Sequence, residues 1–150
     1  MTETTRTARL ALPLLAMAQA QKEVTHNEAL VLLDALVHAA IEDGPLTAPP
    51  SSPAAGQCWL VGAGAGGDWA GQADAIAIWC DGGWRFAAPR PGMRVARLSD
   101  GAWLRYAAGA WTAPDALANP EGGTTIDAEA RAAIAALVIL LEAQGLLISG

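Results

Sequence analysis

Charge, cysteine and histidine are all scarce in this chain, and each scarcity closes off a class of function. Charged residues make up 16% of the 150 positions and the net charge is −6. No basic patch is available for nucleic acid or an anionic membrane surface, so no nucleic-acid partner is expected. Two cysteines, Cys58 and Cys80, are too few for a disulfide framework and lack metal-ligand spacing, so they read as free, mostly buried thiols. Two histidines, His26 and His38, supply neither a metal cluster nor a catalytic triad, and no cofactor is expected. No apolar run reaches the length of a transmembrane helix, so no membrane insertion is expected. Large side chains are few as well. Apolar residues reach 53%, but alanine inflates that figure, which leaves six tryptophans to dominate the core and any interface.

What is present divides into three stretches. Thr25-His26-Asn27-Glu28 has the capping-box form, which predicts a helix with Thr25 as N-cap. Thr25→Ala is accordingly expected to cost about 1 kcal/mol. Leu33, Leu36, Val37, Ala40 and Ile41 continue at helical spacing until Gly44 and Pro45 stop it. On such a helix Asp34, His38 and Glu42 form an exposed polar face rather than a metal site. Ahead of it, Arg6 and Arg9 precede LALPLLAMA, and Ala16-Met17-Ala18 imitates a signal cleavage site. Pro13 and Glu3 spoil that pattern, and export is the weaker reading.

APPSSPAAG (48–56) reads as a linker or extended segment. CWLVG, DAIAIW, WRFAAP, VARL, WLRY and AWTAP then alternate as short antiparallel strands with turn signals between them. WCDGGW (79–84) and YAAGAW (106–111) look like copies of one hairpin, each setting two aromatics across a tight turn. NPEGGTT (119–125) is a second linker. The final segment is helical, with Thr125 or Asp127 as N-cap. Its LVILL run (137–141) is apolar on every face, and a helix buried on every face needs more cover than a small sheet offers. Copies of the chain would supply the rest. Ile134, Leu137, Leu141 and Ile148 would form the seam, and Gln144 a polar layer that fixes register.

The expected fold is α+β: an attachment segment and helix (1–47), a Trp-rich antiparallel β domain with repeated hairpins (48–118), and a linker with an oligomerising helix (119–150).

Candidate chemistry is thin. Gly62-Ala63-Gly64-Ala65-Gly66-Gly67 matches the dinucleotide fingerprint, but a turn and a strand follow instead of a helix, so it reads as a loop. Asp68, Asp74, Asp81 and Asp100 could in principle pair for glycoside hydrolysis, yet each sits in turn-like sequence where Asp bonds its own backbone. The tryptophans could form a sugar platform, but most must fill core volume. Trp69, in its Gly-rich loop, is the one assigned as an exposed glycan contact.

LPLLAMAQAQKEVTHNEALVLLDALV (12–37), continued by LTAPPSSPAAGQCWLVGAGAGGDWAGQADAIAIWCDGGWRFAAPRPG, resembles the DUF2793 proteins of alphaproteobacterial phages, prophages and gene transfer agents. The likeness spans roughly residues 10–114, and its QAQKxVTHNEAL string is highly specific. Glu23 stands where that family often has histidine, and Met93–Asp100 replaces a more aromatic segment. The resemblance implies a virion structural or tail-fibre-associated protein without a catalytic role. It would be assembled in the bacterial cytoplasm and be trimeric by analogy with phage fibres. Gln19, Gln21, Lys22 and His26 would then present polar groups to a neighbouring subunit or another virion protein of tail, baseplate or capsid. The alternative is a receptor module that binds or cleaves a host-surface glycan. Exposure of the tryptophans to a quencher separates the two.

Overall fold

The computed structural model describes residues 5–16, 22–124 and 126–148. Helix α1 spans Lys22–Leu36. Among the described residues, eight strands follow: β1 (Ala40–Ile41), β2 (Asp43–Leu46), β3 (Cys58–Val61), β4 (Ile76–Cys80), β5 (Gly83–Ala87), β6 (Arg94–Arg97), β7 (Trp103–Ala107) and β8 (Ala110–Thr112). Helix α2 spans Ala128–Ala143. The fold class is α+β, as the hydrophobic patterning predicts.

Both limits of α1 differ from the sequence reading. The helix begins before Thr25, which lies exposed in its first turn, so Thr25 is not an N-cap. Lys22 and Glu23 favour helix, and Glu23 in the first turn suits the macrodipole. Glu28 does not fold back to close a capping box. Its carboxylate faces the Arg85 guanidinium at 3.7 Å. At the other end the helix stops at Leu36 rather than Gly44, and His38 takes a left-handed φ of 54°. The polar face of Asp34, His38 and Glu42 therefore does not exist. Strand pairing and burial override the helical period here: Ile41 is fully buried and β1 pairs with β6.

The strands form two four-stranded sheets, ordered β1-β6-β7-β8 and β2-β3-β4-β5. The six strands from β3 to β8 fall where the alternation places them. The other two are additions, and both pair in parallel: β1 with β6, β2 with β3. Only Glu42 separates β1 from β2, so the chain steps from one sheet to the other at that residue. The expected unit 1–47 is thus not self-contained, because its last strands belong to both sheets. Gly44 makes the step sterically feasible. At φ 141° its Cα lies so close to β3 that an added Cβ would stand 2.6 Å from the Leu60 carbonyl oxygen.

One core cluster draws Ile41, Val95 and Leu104 from the first sheet and Cys58, Leu60, Ile76 and Ile78 from the second. Ala35 and Ala39 of the α1 region close it. The alternate residues of β3 and β4 belong to a second cluster, Trp59, Val61 and Ala77, packed with Trp69. Both faces of these strands are therefore covered, which explains why all four residues of β3 are buried.

Candidate functional site

The densest polar geometry lies on α1. Asn27 and Asp34 stand seven residues apart, two helical turns, and so share one face. That face holds an N-terminal strap. Within the strap, the Thr7 amide donates to the Leu12 carbonyl at 2.9 Å and the Leu14 amide to that of Thr5 at 2.8 Å. Asp34, only 4% exposed, accepts from the Thr7 hydroxyl at 2.7 Å, the Arg9 amide at 2.9 Å and the Leu10 amide at 2.7 Å. The Asn27 side-chain amide clamps Leu15, accepting from its amide at 2.9 Å and donating to its carbonyl at 3.0 Å. Arg9 donates to the Ala35 carbonyl at 2.7 Å and the His38 carbonyl at 3.3 Å. A cation there satisfies helix-terminal carbonyls and suits the dipole.

Beneath the strap is a cleft of about 220 Å³, lined in part by Arg6, Arg9, Val31, Asp34, Trp79 and Cys80. Its chemistry is muted. Burial pushes the Cys80 thiol above its ordinary value, against the opposing pull of Arg85. The neighbouring Cys58 is pushed up to about 11, again by burial first. Both remain protonated near neutral pH, and a thiol is a poor nucleophile beside a thiolate.

The sequence-derived partner residues are only partly visible. Gln19 and Gln21 lie outside the described residues, and of Lys22 only the backbone, opening α1, is described. His26 is exposed. Trp69 is not an exposed glycan contact. It is 0% exposed and packs edge-on against Trp84 at 5.1 Å between ring centres. The Gly-rich loop carries it back onto the sheet as a cover, pinned by the Gly66 amide donating to the Thr47 carbonyl. Only a single 3-10 turn, Gly67–Trp69, follows the glycines, so the fingerprint reading has no helix to support it. Asp100 sits in a turn against Arg97, whose hydrogen bond holds its carboxyl below the ordinary range. Among the described residues, no group of three His, Cys, Asp or Glu could hold a metal ion.

Of the two expected caps of α2 it is Asp127 that serves, its carboxylate accepting from the Ala130 amide at 2.9 Å. Val138 is its buried residue, and Arg131, Ala135 and Glu142 on the same face are half-buried. Elsewhere Ile134, Leu137, Leu140 and Leu141 are exposed, Leu137 by 58% and Leu140 by 62%. Two members of the expected seam are displaced. Gln144 is the C-cap, and Ile148 lies beyond the helix, bridging in parallel to Ala116 of its own chain. Gly145 at φ 66° ends the helical spacing that had placed Ile148 on the seam.

Sequence reasoning missed Thr7, Arg9, Asn27 and Asp34 as one constellation. One signal was present: Asp34 interrupts an apolar stretch, LVLLDALV, at a position facing inward. These features define the class of molecule: a two-sheet α+β body with one sheet clamped by tryptophans, strapped along one helix and projecting another. A family model described as "Protein of unknown function (DUF2793)" matches residues 26–112, and the chain belongs to that family. The match runs from α1 to the end of β8, and so contains both sheets and neither the strap nor α2. No curated protein matches the chain.

Proposed function

We propose that the chain is a structural subunit of a phage-type particle, a fibre or spike component that assembles as a homotrimer through α2. The observation that carries this reading is the open apolar arc of α2. Residues 132–141, AAIAALVILL, contain no polar side chain, yet only one face of the helix meets its own body. Burying a Leu or Ile stabilises by roughly 1.5–3 kcal/mol, and Ile134, Leu137, Leu140 and Leu141 in each of three copies give a strong driving force. A helix of this length is marginal alone, so packing against identical helices is what would hold it. A surface without charge has no charge pattern to select a different partner, which favours copies of itself. The virion setting is inferred from the resemblance described above. There the exposed residues Val24, Thr25 and His26 of α1 would meet other virion proteins of tail, baseplate or capsid, and no catalytic step is required.

Sedimentation of the full chain tests the assembly, with trimers expected at micromolar concentration. Leu137→Asp with Leu140→Asp should give a monomer with unchanged β-sheet circular dichroism. A monomeric parent, or a double variant that stays oligomeric, overturns the reading. Mass spectrometry of gradient-purified particles tests the setting, since a particle component must co-purify at fixed stoichiometry.

A further inference from the structure

The solvent face of the β6–β7–β8 sheet carries an arrangement that folding alone disfavours. Val95 pairs with Leu104, and both are buried, which fixes the inward face. The alternate residues therefore point outward: Arg94 stands directly opposite Arg105, and Arg105 directly opposite Thr112. Like charges directly opposed across strands are destabilising. Two other arginines nearby have partners. Arg85 faces Glu28, and Arg97 bonds Asp100 and the Gly44 carbonyl. Neither Arg94 nor Arg105 has an ion pair or side-chain hydrogen bond among the described residues. In a chain of net charge −6, the pairing costs stability and returns none.

Trp103 lies two residues along β7 on the same outward face. It is 42% exposed, the most open tryptophan. Its amide donates to the Gly145 carbonyl at 3.1 Å, so the turn after α2 is seated beside it. Arg94, Trp103, Arg105, Thr112, Pro114 and Leu146 line a groove of about 200 Å³. That is below the roughly 300–1,000 Å³ of pockets for drug-sized ligands, and suits a single ring with a charged substituent.

We propose that this groove binds an acidic saccharide: a uronic acid whose carboxylate is held between Arg94 and Arg105 while its pyranose ring lies against Trp103. Guanidinium groups match a carboxylate in bidentate geometry and are weakly hydrated, so they release water readily on pairing. The Thr112 hydroxyl donates to the Arg105 carbonyl at 3.2 Å, which leaves its lone pairs to accept from a ring hydroxyl. The exposed indole offers a broad apolar surface with a polar edge, suited to the C–H face of a sugar. A polyanion such as nucleic acid fits poorly, because it needs an extended basic track and this site holds two cations on an acidic chain. The site does not depend on self-association through α2.

The test is titration of the full chain with trigalacturonic acid, followed by tryptophan emission and calorimetry. Saturable binding is expected, with no response to a neutral galactose trisaccharide at the same concentration. Arg94→Gln, Arg105→Gln and Trp103→Ala should each weaken binding at least tenfold. The two Arg→Gln variants should melt no lower than the parent, because each removes a like-charge opposition; this separates lost binding from lost folding. Inorganic sulfate should compete only weakly. The proposal is overturned by absence of saturable binding, by arginine variants that keep the parent affinity, or by equal binding of the neutral sugar. Sulfate binding tighter than the saccharide overturns it too, by reducing the site to a general anion site.

Discussion

Asp34 anchors the strap to α1, because three donors from the strap converge on its buried carboxylate. Asp34→Ala leaves all three without their acceptor. Hydrogen bonds to a charged group contribute roughly 1.5–3 kcal/mol each, with overlap between them, so a loss of at least about 3 kcal/mol is expected in urea unfolding, with faster tryptic cleavage at Arg9. Thr25→Ala supplies the contrast. With α1 starting before it, this exposed residue caps nothing, and its removal should change stability by less than about 0.5 kcal/mol. Cys58 gives a pH signature. Its folded thiol is raised from 9.0 to about 11 by burial, so its contribution is intact below pH 9 and is lost as pH rises towards 11. Two units correspond to about 2–3 kcal/mol. Unfolding at pH 8 and pH 10.5 should show this alkaline loss in the parent and a smaller one in Cys58→Ala.

Among the elements, the two hairpins reveal how one sequence pattern accommodates different turns. The aromatic pairs form as the spacing implies: Trp79 opposite Trp84 and Tyr106 opposite Trp111, with ring centres 4.9 and 5.3 Å apart. Trp84 also meets Trp59 and Trp69 edge-on, which makes the first hairpin part of the tryptophan cluster. The second instead donates from the Trp111 indole to the Asp74 carbonyl at 2.8 Å, tying β8 to the turn that precedes β4. At its tip Ala108 and Gly109 both have positive φ, 51° and 83°, the signature of a type I′ turn. An L-residue in that region costs roughly 1–2 kcal/mol, partly offset by the greater unfolded entropy of glycine. Ala108→Gly should therefore stabilise by about 0.5 kcal/mol, read as a higher urea midpoint with unchanged slope. A lower midpoint would mean the alanine methyl makes a contact that outweighs the strain.

The whole molecule joins a well-covered body to a poorly covered helix. The tryptophan cluster and the inter-sheet core bury β3 and β4 on both faces, whereas α2 meets its own body along one face and at its C-terminal turn. Stability should therefore be uneven. Hydrogen exchange on the dilute, monomeric Leu137→Asp, Leu140→Asp variant should show slow amides in β3 and β4 and rapid exchange throughout α2. At high concentration the parent should protect α2 as well. Rapid exchange of α2 in the parent at every concentration would leave the helix without a partner.

Taken by itself, the sequence determined the local terms: α+β class, the positions of β3 to β8, the paired hairpins, a cap at Thr125 or Asp127 and the apolar excess of α2. Each depends on period, turn chemistry or a cap within a few residues, and such signals survive without knowledge of the partner. Tertiary structure alone decided what depended on distant contacts. The run from Val37 to Ile41 has a helical rhythm, but parallel pairing with β6, more than fifty residues away, takes Ala40 and Ile41 out of the helix. Trp69 reads as an exposed loop residue until the Gly-rich loop folds back and the facing tryptophans enclose it. Asp34 reads as one carboxylate on a polar face until the strap, some twenty-five residues earlier, delivers three donors to it. Arg94 and Arg105 look unremarkable in line, and only the strand register sets their charges against each other. Pairing and burial across the chain outweigh local propensity, and local order does not encode which distant segments will meet.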